Sequence, residues 1–89
     1  MEDIKTITPT INLNGTSREA LLEQKTDLLH ALREAQAALR RATPNGRDYQ
    51  LADPSWFERA LERHTRQCRV LAKLVEEVMD EAEAILESE

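Results

Sequence analysis

The sequence predicts an all-α fold: a long antiparallel two-helix hairpin with an extended N-terminal arm, pairing with a second hairpin into a four-helix bundle. Three observations carry that expectation. The 89 residues include two Gly, three Pro and three aromatics, while a third are charged, which is a long-helix composition rather than that of a sandwich or barrel. Phe57, His64, Leu71, Val78 and Ile85 recur every seven positions, the spacing of a helix packed lengthwise on another. A single break, running from Pro44-Asn45-Gly46 to Asp53-Pro54, separates two stretches of helical apolar periodicity. A chain this short has room for one domain.

Each element follows in order. Residues 1–15 are expected as an arm, because Ile4, Ile7, Ile11 and Leu13 are interleaved with Thr, Asn and Pro9, and proline biases its predecessor toward extended backbone. Residues 16–89 then form the hairpin. Thr16 and Glu19 have the spacing of a reciprocal capping box, so a helix over about 17–42 is expected to start there. Its apolar stripe contains Leu21, Leu28, Leu32, Ala35 and Leu39, opposite Glu23, Asp27, His30 and Glu34. Pro44 ends it, and residues 43–53 form the loop, with Asn45-Gly46 as a turn dipeptide. Asp53 as N-cap before Pro54 starts a second helix over about 54–86.

The two helices differ in length. Roughly 26 residues span about 39 Å and roughly 33 span about 50 Å at the α-helical rise. A tight antiparallel turn would place the excess at the C-terminal end, from about residue 80, where the arm could cover Val78, Met79, Ile85 and Leu86. Two helices leave part of each stripe wet, so a homodimer is the expected assembly. Leu28 and Leu71 are expected in the core.

Charge is segregated. Residues 1–32 carry three basic and five acidic groups, residues 33–73 nine and five, and residues 74–89 none and seven, so the stretches stand at −2, +4 and −7 around a net charge of −5. Neither a chain-wide polyanion nor a chain-wide polycation is present. Much of the Arg-rich charge is offset within helices, as by Arg59 with Glu62, and no nucleic-acid-binding signature occurs. One Cys excludes an internal disulfide, and no apolar run is long enough for a membrane span.

His64 and Cys68 lie four apart on one helical face, a metal-ligand spacing. Zinc needs three or four protein ligands, and His30 falls on the opposite helix's polar face, so no metal and no cofactor are expected and His64 reads as a core residue. Catalysis by Cys68 would need a base and free amide donors that a regular helix does not offer. No enzymatic activity is expected. The turn is the most promising site: Tyr49, Trp56 and Phe57 are the three aromatics of the chain, and Arg47 and Arg59 stand beside them. Aromatics and Arg dominate binding hot spots. Arg47, Tyr49, Trp56 and Arg59 are therefore the candidate partner-binding residues, with Asn45, Gly46 and Asp48 structuring the loop. Asp48 is expected to accept from Arg47 or from loop amides.

The segments Asn14-Gly15-Thr16-Ser17-Arg18-Glu19-Ala20-Leu21-Leu22-Glu23-Gln24 and Pro44-Asn45-Gly46-Arg47-Asp48-Tyr49 resemble those of a group of small helical-hairpin proteins from tailed phages and proteobacterial prophages. The resemblance covers about residues 11–60, and Gln50 departs from it where a second aromatic is expected. It implies a phage setting and a helical hairpin, and no reaction.

Together these features point to a non-enzymatic protein-protein interaction module encoded by a phage or prophage, either a virion or assembly component or an accessory factor that binds a host protein. Its expected partners are a second copy and a phage or host protein, and its place is the host cytoplasm or the virion. The rival is a nucleic-acid-linked regulator or DNA mimic using the Arg-rich segment or the acidic C-terminal end.

Overall fold

A computed structural model describes residues 16–51 and 53–88. They form two helices, α1 (Arg18–Arg41) and α2 (Pro54–Glu87), joined by a loop that contains a short 3-10 turn at Gly46–Tyr49. The all-α hairpin expected from periodicity is the observed architecture, with helix ends within a residue of those expected. The arm over residues 1–15, and the cover it was expected to give, lie outside the described residues.

The N-terminal cap of α1 sits one residue later than the capping box predicts. Ser17 is the N-cap: its extended backbone turns the chain into the helix, and its Oγ accepts from the Ala20 amide at 3.1 Å. That register moves Glu19 to the second helical position, too early to reach back as a box partner. Glu19 instead contributes a carboxylate to the first turn, where the helix dipole favours it. Thr16 is exposed. Two adjacent cap-competent hydroxyls make a one-residue ambiguity that sequence cannot resolve.

At the other junction Asp53 caps α2 as expected, accepting from the Ser55 amide and the Ser55 hydroxyl at 2.8 Å each, with Pro54 at the first position. These bonds, the amide first, hold the Asp53 carboxyl below its ordinary pKa. The sign follows from linkage: a depressed folded-state value stabilises the cap above the unfolded-state value, and that contribution disappears as pH falls through the folded-state value. Acidification is therefore expected to fray the first turn of α2. Trp56 lies in that turn, so its fluorescence should report the change, and Asp53→Asn should flatten the acid response. An unchanged response in Asp53→Asn would remove Asp53 as its source.

The core lies where the two stripes meet. Leu32 of α1 and Val75 and Val78 of α2 are buried together, with Leu29 and Leu71 packed against them. Ile85 is fully buried. Leu28, expected in the core, is 41 % exposed, because its neighbour Leu29, about 100° away around the helix, is the one that packs against the core at that level. Burying such aliphatic side chains contributes about 1.5–3 kcal/mol each.

The axial offset of the helices is the main correction to the sequence reading. Lys25 Nζ lies 3.3 Å from Glu81 Oε1, so the C-terminal turns of α2 run beside the first turns of α1. At the other end Leu39 is level with His64. The excess length of α2 therefore projects at the turn end, over roughly residues 54–63, rather than beyond residue 80. The physical reason is the loop. It is not a tight turn but a segment that runs back along α2: a Cβ at Gly46 would meet the Phe57 ring at 3.7 Å, and the Tyr49 and Phe57 rings pack at 5.7 Å between centroids.

His64 occupies the end of α1. It is half-buried rather than a core residue, and its Nε2–H donates to the Leu39 carbonyl at 2.8 Å. The Leu39 carbonyl also accepts from the Ala42 amide at 3.1 Å, so this side chain of α2 adds a second donor at the end of α1, where the regular ladder runs out. A carbonyl only accepts, which places a proton on Nε2; Nδ1 lies 3.8 Å from Cys68 Sγ.

Candidate protein-binding site

The site follows from the offset. Past the end of α1, the first turns of α2 have no opposing helix among the described residues, and the loop covers one side of them. Phe57 is half-buried beneath Tyr49. Trp56, one residue earlier and therefore about 100° away around the helix, escapes that cover and is 55 % exposed. Trp56, Arg59, Ala60 and Arg63 together with Tyr49 line a cleft of about 300 Å³.

The loop wall of the cleft is built by Asn45. Its Oδ1 accepts from the Arg47 amide at 2.9 Å, and its carbonyl accepts from the Asp48 amide at 3.0 Å, so one residue organises the 3-10 turn that presents Tyr49. Asn45 thus has the structuring role expected of it. Gly46 and Asp48 have less of one. Gly46 does not adopt a left-handed backbone, and a Cβ there makes only ordinary contact with Phe57. Among the described residues, the Asp48 side chain makes no hydrogen bond or ion pair with Arg47, and the Arg47 amide is held by Asn45 instead.

Of the four candidate binding residues, the cleft brings together Tyr49, Trp56 and Arg59. Arg47 is exposed on the loop and does not line it. Arg63 was missed as a site residue, although its spacing gives it away: four after Arg59 and seven after Trp56, it shares their helical face. Tyr49 is half-buried, so it supports the loop as well as facing the cleft. Replacing it would remove the aromatic pair with Phe57.

An electron-rich indole sharing a cleft with two guanidinium groups suits a ligand with carboxylates beside an apolar group. Among the described residues no cluster of three His, Cys, Asp or Glu side chains is arranged to hold a metal ion, and no described helix is long and apolar enough to cross a membrane. The fold and the cleft define a two-helix hairpin with a partly open turn end. No family model, curated protein or solved structure matches the chain.

Proposed function

We propose that the chain is a non-enzymatic protein-protein interaction module that receives an acidic, partly apolar segment of a partner protein in the cleft lined by Trp56, Arg59 and Arg63. The observation that carries this reading is the exposed indole on a stretch of helix with no helix opposite it among the described residues, sharing its cleft with two exposed arginines. Burying that indole is the kind of gain on which interfaces are centred. The phage or prophage setting, in a host cytoplasm or a virion, is proposed from the resemblance of the two sequence motifs.

The test is affinity capture from lysate of host cells that also express an untagged copy of the chain, with and without nuclease, using wild type and a Trp56→Ala/Arg59→Ala variant. Both side chains are exposed, so the variant should melt within about 1 kcal/mol of wild type. A nuclease-resistant partner retained by wild type and lost by the variant is the expected result. A partner captured only when nucleic acid is intact would move the function to the Arg-rich segment as a nucleic-acid contact.

A further inference from the structure

The exposed side of α2 carries a second heptad row beside the one that faces α1. Trp56, Arg63, Val70, Glu77 and Ala84 are spaced by seven, each one residue before a member of the row Phe57 to Ile85. Four of the five are exposed, and Ala84 is partly so. At the centre of the row Val70 is 65 % exposed and Leu74, one turn later, 42 %. Both line an apolar depression of about 320 Å³ with Arg66, Gln67 and Leu71. Oily side chains at the middle of a surface seam are what a helix presents to another helix.

The row is complementary to its own reverse. Seven residues before Val70 stands Arg63, and seven after it Glu77; fourteen before stands Trp56, and fourteen after it Ala84. An antiparallel copy with its Val70 on the two-fold axis therefore sets Arg63 against Glu77, and the large indole over the small Ala84. The whole helix follows this pattern. Residues 54–69 hold four basic and two acidic groups, and residues 70–87 one and six. A parallel copy would place the strongly acidic halves side by side, whereas an antiparallel copy places each against the basic half of its partner.

We propose that the acidic segment received by the Trp56–Arg63 cleft belongs to a second copy of this chain, in a two-fold antiparallel dimer that pairs α2 with α2 about Val70. The proposal rests on the cleft reading above and names its occupant. By symmetry each complementary pair occurs twice, so the dimer holds two Arg63–Glu77 pairs and two Trp56–Ala84 contacts. Exposed apolar groups at the seam centre supply attraction, and the charges at its two halves fix direction.

The test is sedimentation equilibrium of wild type, Arg63→Glu, Glu77→Arg and the Arg63→Glu/Glu77→Arg double variant, with far-UV circular dichroism as the check on folding. Each single reversal should raise the dimer dissociation constant by about tenfold or more, since it sets like charges together at two symmetric places. The double variant should recover to within about threefold of wild type, because the pair is restored with its signs exchanged. In a parallel dimer Arg63 would face Arg63, and a single reversal would exchange one like pair for another with little effect, so unaffected single variants would overturn the antiparallel assignment. A monomeric wild type at micromolar concentration would overturn self-association. If that monomer still captured a nuclease-resistant partner through Trp56 and Arg59, the cleft reading would stand without the dimer. Val70→Asp, made in an exposed position, should abolish the dimer; a dimer that survived it would use another face.

Discussion

Ile85→Ala is expected to destabilise the protein by about 2–5 kcal/mol, the range for truncating a buried aliphatic side chain, whereas Leu86→Ala should change stability by no more than about 0.5 kcal/mol. The two residues are neighbours in the last turns of α2, yet Ile85 is fully buried and Leu86 is 64 % exposed. Composition argues the other way. This turn lies in an acidic stretch at the helix end that the dipole disfavours, which by itself favours fraying. The hairpin opposes that tendency: α1 runs alongside these turns, as the Lys25–Glu81 pair shows, and Ile85, on the inward-facing heptad row, is buried there while Leu86 is not. Chemical denaturation of both variants at one protein concentration decides it, since dimerisation would make stability concentration-dependent. Equal, small losses would show that the end of α2 is frayed.

The second large effect is at the centre. Leu32→Ala should cost about 2–5 kcal/mol by opening a cavity against Val75 and Val78, a fall in Tm on the order of 10 °C or more for a domain of this size. Leu28→Ala, one turn earlier, should cost clearly less, since Leu28 remains 41 % exposed. Periodicity places both on the same stripe; burial separates them. Thermal melts of the two variants side by side measure the difference, and equal losses would mean that Leu28 is covered as deeply as Leu32.

The sequence by itself determined the elements. Pro44, Asp53 and Pro54 set where helix stops and restarts through backbone chemistry that acts within a few residues, and the heptad spacing of Phe57 to Ile85 set which face of α2 turns inward. Asn45 and Asp53 were legible for the same reason, since their acceptors reach amides two residues away. The cleft was legible in part: the aromatic and Arg cluster was visible, but its membership was not. Whether Trp56 or Phe57 is covered, and whether Arg47 or Arg63 joins the cleft, depends on how the loop lies along α2. Tertiary structure alone decided the axial offset. Periodicity fixes rotation about a helix axis but leaves translation along it free by whole heptads, because every seventh residue presents the same face. The translation follows from the loop lying back along α2 and is seen in contacts distant in sequence, Lys25 with Glu81 and His64 with the Leu39 carbonyl; among the described residues it leaves Trp56 without a helix opposite.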